Sequence, residues 1–375
     1  MKVSKEIRQI TPYSPGKPVA ETKRELGLSV VHKLASNECP VGPSPKAVVA
    51  MKQALTELHR YPDPNCFELH GAMAQYLEVA DDYLVFGNGS NELIDLLVRT
   101  FCEQGEEILT SKAAFLAYPL CAQAARVKTI EVPLTEDLRF DLSRMAEELD
   151  RDRVNNRIRL VFIANPNNPT GTCVSGKDFE VFMEVASKKK DLLVIVDEAY
   201  FEFVRTKDSF STRSYLEKYE NLLFLRTMSK VFGLAGLRLG VLVGRPELLN
   251  FINRVRNPFN VNSIAQAGAV AALGDREHLD RVCQVTWDGL DGFYLQLARM
   301  GLNYWESQGN FVLFDTKRDS RKVFQALLQQ GVIMRPVINY GFPTQLRLSV
   351  GLEEENRAAM VALEKVLVEI PRTLS

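Results

Sequence analysis

Lys230 closes the run Leu223-Phe224-Leu225-Arg226-Thr227-Met228-Ser229-Lys230, so an amine stands just past a strand-like apolar segment. Beyond it, Gly233-Leu234-Ala235-Gly236-Leu237-Arg238 sets a guanidinium after a glycine-rich loop. Upstream, Asp197 ends the apolar run of Val194-Ile195-Val196-Asp197-Glu198-Ala199-Tyr200, and Asn168 lies in Asn165-Pro166-Asn167-Asn168-Pro169-Thr170-Gly171. An amine, a carboxylate, an amide and a guanidinium at strand ends suit an aromatic aldehyde that also carries a phosphate. The amine condenses with the aldehyde, the carboxylate pairs with a ring nitrogen, and the arginine takes the phosphate as a planar two-pronged donor. The surroundings of Lys230 are mostly small and apolar, poor company for a solvated charge. Desolvation and nearby Arg238 favour the neutral amine that such chemistry needs.

Val85-Phe86-Gly87-Asn88-Gly89-Ser90-Asn91-Glu92 reads as a strand, a glycine turn and a helix start. Gly89, Ser90 and Asn91 there offer an anion site at the positive end of a helix dipole, although Ser90 also suits a simple cap. Glu92 takes the place of the third glycine of a dinucleotide fingerprint and excludes that motif. Two features point elsewhere. A strand ending in Asp197-Glu198 looks like the metal-binding strand of an ATPase, and Gly171-Thr172-Cys173-Val174-Ser175-Gly176-Lys177 fits the opening of a phosphate-binding P-loop. The next residue, Asp178, has no hydroxyl for magnesium, and a P-loop leaves Lys230 and Arg238 unused.

Positioning these groups requires a sheet. Apolar runs at 83–86, 107–110, 129–132, 159–164, 192–196, 222–225 and 239–243 read as buried strands, several followed by helical segments such as 91–101 and 177–187. That alternation predicts an α/β fold with a mostly parallel sheet between layers of helices. Gly87, Asn168, Asp197 and Lys230 each follow a predicted strand, so they converge on the carboxyl edge where ligands bind in such sheets. Near Pro258 the texture changes: helices are predicted over 263–273, on to about 300, over 320–330 and over 353–369, with strands at 310–314, 331–335 and 345–350. Prolines make the first forty residues loop-rich, and a helix is expected over 46–58. The expected division is an arm over 1–40, a large domain over 41–265 and a small α+β domain over 266–375.

Composition narrows the class. The chain has 375 residues, 46 Lys+Arg against 47 Asp+Glu and a formal net charge of −1, so no field favours nucleic acid or an anionic membrane. Met1-Lys2-Val3-Ser4-Lys5-Glu6 lacks the apolar core of a signal peptide, and the apolar runs are strand-sized. Six cysteines without a CxxC pair and four histidines without ligand spacing predict free thiols, no metal site and a reducing cytoplasm.

On the residues quoted, and over most of the chain from Tyr13 to Asn356, the sequence resembles the fold type I pyridoxal-phosphate aminotransferases, most closely the histidinol-phosphate aminotransferases. The resemblance implies an aspartate aminotransferase-like, three-layer large domain with a smaller domain. It implies that Lys230 carries pyridoxal 5'-phosphate and, once freed, moves a proton. Asp197 keeps the pyridine nitrogen protonated, Asn168 and Tyr200 fix the ring hydroxyl, and Ser229 and Arg238 bind the phosphate near Thr227, Gly89, Ser90 and Asn91. Phe115 and Tyr118 match an aromatic pair whose first ring stacks on the pyridine, although Ala113-Ala114 stand where the family commonly has Pro-Thr. Tyr61, in Arg60-Tyr61-Pro62-Asp63, matches a tyrosine that reaches the partner's phosphate in a homodimer. On the substrate side lie Tyr13, Asn37, Arg335 in Gly331-Val332-Ile333-Met334-Arg335-Pro336, and Arg347 in Gln345-Leu346-Arg347-Leu348-Ser349-Val350-Gly351. Two arginines in one pocket suit a phosphate or a carboxylate. Asn37-Glu38-Cys39-Pro40 departs from the usual Asn-Glu-Asn-Pro.

The implied reaction converts histidinol phosphate and 2-oxoglutarate to imidazole acetol phosphate and glutamate, in histidine biosynthesis. Alternatives within the class are an aromatic amino-acid aminotransferase and an amino-acid-phosphate decarboxylase. Outside it stand a nucleotide hydrolase and a catalytically silent regulatory protein of the same fold.

Overall fold

The computed structural model of the chain describes residues 3–12 and 16–373, so Tyr13 lies outside the described residues. Its centre is a seven-stranded sheet in the order Leu84–Gly87, Gly240–Val243, Leu222–Thr227, Leu193–Asp197, Ile158–Ala164, Glu107–Ser111, Lys128–Val132. Gly240–Val243 runs antiparallel to both neighbours, and the remaining pairings are parallel. All seven expected runs are strands, and the α/β class is as read. The runs look continuous rather than alternating because the central strands are buried along their whole length.

Helix starts carry their own signals. Ser175 Oγ accepts from Asp178 N at 3.1 Å to begin Gly176–Ala186, and Asn262 Oδ1 accepts from Ala265 N at 2.8 Å to begin Ser263–Leu273. Ser44 caps Pro45–Ala54, which tightens into a 3₁₀ turn at Leu55–Glu57. The arm is less irregular than expected. Lys5–Gln9 and Val19–Leu26 are helices, the second starting straight after Pro18 and stopping at left-handed Gly27 (φ 66°).

The later part of the chain forms a four-stranded antiparallel sheet: Arg335–Pro336, Gln345–Ser349, Phe311–Asp315 and Asn303–Trp305. The run 331–335, read as one strand, divides. Val332–Ile333 pairs in parallel with His32–Lys33 of the arm, whereas Arg335–Pro336 pairs with Gln345–Ser349. Buried Met334 sits at the break, and Pro336, with no N–H to give, suits a strand at the edge.

Among the described residues two large apolar cores form, with a small third cluster of Ala35, Leu328 and Ile333. Leu279, Val282 and Cys283 of the Arg276–Arg299 helix join the core under the large sheet, while Leu290, Phe293 and Leu297 join the core under the small one. The Ser263–Leu273 helix, which a division at 265/266 would cut, buries Ala265, Ala269 and Ala272 in the first core.

Candidate active site

Strand ends, a helix start and the arm enclose a cavity of about 420 Å³. Its lining includes Asn37, Ser90, Asn91, Phe115, Asn168, Asp197, Tyr200, Thr227, Ser229, Lys230, Arg238, Arg335 and Arg347. Residues from one end of the chain to the other therefore meet in one place, on the edge that the strand pattern indicates.

Asp197, the last residue of its strand, is 5% exposed. Its Oδ2 accepts from the Tyr118 hydroxyl at 2.8 Å and its Oδ1 from Ala199 N at 3.2 Å. Burial pushes the carboxyl up to about 6, against the pull of those two donors. Lys230, half-buried, donates through Nζ to the Asn37 carbonyl at 3.3 Å and lies 5.6 Å from the centre of the Tyr200 ring. Asn37 has φ 54°, a left-handed conformation that Asn tolerates better than most residues. Asn310 Nδ2 holds the same carbonyl at 3.1 Å.

The amides around Tyr200 can be oriented from their partners. Ser349 Oγ donates to Asn37 Oδ1 at 2.8 Å, and Arg347 Nη1 donates to Asn168 Oδ1 at 2.6 Å. Each Nδ2 is thereby turned to the Tyr200 oxygen, at 3.0 Å from Asn37 and 3.2 Å from Asn168. With its oxygen accepting twice, the phenol keeps its own hydrogen to donate. Burial raises the Tyr200 pKa, opposed by Arg347 and the Asn37 bond.

The anion end is made of backbone and one guanidinium. Arg238, itself left-handed (φ 58°), donates through Nη1 to Ala235 O at 3.0 Å and to Ser229 Oγ at 3.4 Å. Thr227 Oγ1 accepts from Ser229 N at 3.2 Å. The helix Ser90–Phe101 points its N-terminus here from Gly89, whose φ is 82°. A Cβ on Gly89 would stand 2.4 Å from Arg238 Nη2, and one on Gly240 would stand 2.6 Å from Ser90 N. Glycine at both places lets the helix start and the guanidinium close on a common centre.

At the opposite end, Arg335 and Arg347 are direct partners across antiparallel strands. Arg347 is 7% exposed and also donates through Nη2 to Ala35 O at 2.6 Å. Tyr61 stands apart: it is 82% exposed, stacks on Phe259 with ring centres 4.7 Å apart, and does not line this cavity. Cys39 donates to Gly42 O at 3.5 Å, also away from the cavity lining.

Sequence reading missed several supports. Tyr118, an aromatic by its motif, is in the fold the partner of a carboxylate. Ser349 and Asn310, which hold Asn37, and Leu116, Leu120, Cys121 and Tyr340 of the lining were not singled out. Ser349 shares a face alternation with Arg347, a signal that was available; the others follow only from the fold.

The competing motifs are occupied otherwise. Glu198, fully buried, takes Arg226 Nε at 2.8 Å and Thr212 Oγ1 at 2.8 Å. The amides of the glycine loop are spent on the chain itself: Gly171 N on Asn167 O, Val174 N on Asn165 Oδ1 and Gly176 N on Asp208 O. A P-loop needs such amides free for phosphate.

The residues present fit pyridoxal phosphate: a buried carboxylate for a ring nitrogen, a phenol for a ring oxygen, an amine beside them, and a glycine-cleared cradle for phosphate. Comparisons with known proteins agree. Residues 29–363 match the family described as Aminotransferase class I and II. The chain is 53% identical over 370 residues to a histidinol-phosphate aminotransferase of Bdellovibrio bacteriovorus, covering 99% of each. It is 44% identical over 366 residues to one from an Anaeromyxobacter species, covering 97% of this chain and 99% of the relative. Among solved structures, the histidinol-phosphate aminotransferase of Sinorhizobium meliloti, in complex with pyridoxal-5'-phosphate, superposes with a TM-score of 0.87 at 25% identity, over 98% of both chains. The chain belongs to the class I and II aminotransferases.

Proposed function

We propose that the chain transfers the amino group of histidinol phosphate to 2-oxoglutarate, giving imidazole acetol phosphate and glutamate in histidine biosynthesis. The observation that carries this reading is the two-ended cavity. Lys230, Asp197 and Tyr200 occupy one part of it, and the paired Arg335 and Arg347 occupy another. Likeness to histidinol-phosphate aminotransferases over nearly the whole chain supports the same donor.

When bound, pyridoxal phosphate supplies an electron sink for negative charge at the substrate's amine-bearing carbon. Every other role falls to the chain. Ser90, Asn91, Ser229 and Arg238 hold the phosphate, with Gly89 making room and Thr227 bracing Ser229. Asp197 would pair with the ring nitrogen and keep its proton there, and Asn168 and Tyr200 would hold the ring oxygen. Phe115, in the cavity lining, would cover one ring face. Lys230 would hold the cofactor's aldehyde carbon and would serve as the base that moves the proton at the substrate carbon; its amine now rests on the Asn37 carbonyl. Arg335 and Arg347, with Tyr13 and Asn37, receive the substrate's anionic end.

The working unit in this reading is a homodimer. Exposed Tyr61 and Phe67, 82% and 80% accessible, suit burial against a second copy, from which Tyr61 reaches that copy's phosphate. Six free cysteines suit a reducing cytoplasm, and no helix among the described residues is long and apolar enough to cross a membrane.

The test is a half-reaction screen. Holoenzyme is mixed with histidinol phosphate, phenylalanine, tyrosine and glutamate in turn, and the cofactor's absorbance change is followed. Histidinol phosphate and glutamate should convert the cofactor; silence with both would overturn the assignment.

A further inference from the structure

Tyr118 is fully buried, on the helix Ala117–Ala124, and no role follows for it from the reading above beyond an aromatic match. Its ring lies flat on Phe162, with centres 4.8 Å apart and planes 9° apart, and meets Phe115 edge-on at 5.8 Å and 86°. Phe162 belongs to the strand beside Asp197's own, in register with Ile195. The ring is thus clamped by a neighbouring strand and by the side chain expected over the cofactor. Its hydroxyl is delivered to Asp197 Oδ2 at 2.8 Å. A buried phenol could pack equally well as phenylalanine, so this oxygen calls for an explanation.

We propose that Tyr118 is a positioning residue which, by donating to Asp197 Oδ2, holds Asp197 as a carboxylate facing the cavity and keeps the cofactor's ring proton on nitrogen. The proposal rests on the reading that Asp197 faces the ring nitrogen. One proton is shared between that nitrogen and the carboxylate. A donor on the carboxylate lowers its basicity, so the proton stays on nitrogen, and no atom is gained or lost. Ala199 N–H serves Oδ1 in the same sense. The other charged or titratable groups acting on Asp197 are Glu198, Lys230 and Tyr200. Burial alone favours the protonated acid, and the phenol acts against it. Without the hydroxyl, the proton moves toward Asp197 and the ring loses the charge that lets it accept electrons.

The test uses holoenzyme loaded with pyridoxal phosphate carrying nitrogen-15 in the ring, whose chemical shift separates pyridinium from neutral pyridine. Wild type should read as pyridinium. Tyr118→Phe keeps the packing and removes only the oxygen; its resonance should move toward neutral pyridine. Its kcat should fall roughly ten- to a hundredfold, the worth of one charge-assisted hydrogen bond, with KM for the amino donor within about twofold. Phe162→Leu loosens the stack but leaves the hydroxyl, and should lower thermal stability without moving the resonance.

A Tyr118→Phe holoenzyme with wild-type resonance and kcat overturns the proposal. So does a Tyr118→Phe chain that no longer folds, because the hydroxyl would then serve the fold. If the resonance of wild type already reads as neutral, or ignores Asp197→Asn, the reading of Asp197 itself fails and the proposal goes with it.

Discussion

Arg347 donates through Nη1 to Asn168 Oδ1 at 2.6 Å, so the strand Gln345–Ser349 is tied to the loop that carries Asn168 across the cavity. Asn168 passes the constraint on, since its Nδ2 then has to face the Tyr200 oxygen at 3.2 Å. The same arginine holds Ala35 O of the arm through Nη2. A planar guanidinium serves both acceptors at once, which a single ammonium on a flexible stem does poorly. Arg347→Lys should therefore disturb both ends of the site. KM for the amino donor should rise about tenfold or more, and the absorption maximum of the bound cofactor should shift as Tyr200 loses a fixed partner. A rise in KM with an unchanged spectrum would mean that the link to Asn168 carries nothing.

Lys230→Ala should abolish transamination and leave fold and assembly intact. Borohydride reduction of wild type followed by peptide mapping should place the pyridoxyl group on Lys230. A label on any other lysine contradicts the mechanism.

Much of this site was legible because its residues are punctuated by strands. Asp197 and Thr227 are the last residues of strands whose buried runs are plain in the sequence, and Lys230 follows by a turn. Ser90 announced itself by the glycine turn before it. What stayed hidden depends on crossings that no local pattern encodes. Asn310 meets the Asn37 carbonyl, and Tyr118 meets Asp197, only because distant elements pack together. The division of 331–335 between two sheets was hidden for the same reason. An apolar run shows that a strand forms but not which neighbour it finds, and here the arm strand His32–Lys33 claims the first half.

Asp197→Asn should keep the cofactor bound and lose most activity, because a neutral amide cannot hold a pyridinium proton. The cofactor-free protein gives a second reading. Burial pushes the Asp197 carboxyl up to about 6, so the folded chain binds that proton more tightly than the unfolded chain does. Its contribution to stability is full below the ordinary carboxylate range and is lost as pH rises through about 6. Cofactor-free Asp197→Asn should thus melt roughly several degrees above wild type at about pH 8, the gap closing as pH falls toward about 4. A gap that does not change with pH would rule out burial as the cause.

Behind Asp197, Arg226 bonds Glu198 at 2.8 Å and Glu202 at 2.7 Å, all three largely buried. Removing the cation leaves two carboxylates unpaired in a dry place, a change worth on the order of 3–5 kcal/mol. Arg226→Met should lower the urea midpoint accordingly. Because the pair also ties the Asp197 strand end to the strand leading to Lys230, cofactor affinity should fall with it. Wild-type stability in Arg226→Met would show that the buried ion pairs add nothing to the fold.

The choice of substrate is tested at Arg335. It stands directly across from Arg347 on the neighbouring strand, and both line the cavity. Arg347 bonds Asn168 and Ala35, and Arg335, half-buried, lies on the edge strand of the same sheet. Two fixed cations suit a dianionic phosphate better than a single carboxylate, and each charge-assisted bond is worth roughly 1.5–3 kcal/mol. Histidinol phosphate should therefore exceed phenylalanine and tyrosine in kcat/KM. Arg335→Ala should lower kcat/KM for histidinol phosphate by about ten- to a hundredfold, while the aromatic amino acids lose much less. The measurement is a pair of steady-state series on wild type and variant. If phenylalanine is the better donor, or if Arg335→Ala harms both donors equally, the phosphate reading fails and an aromatic amino-acid aminotransferase takes its place.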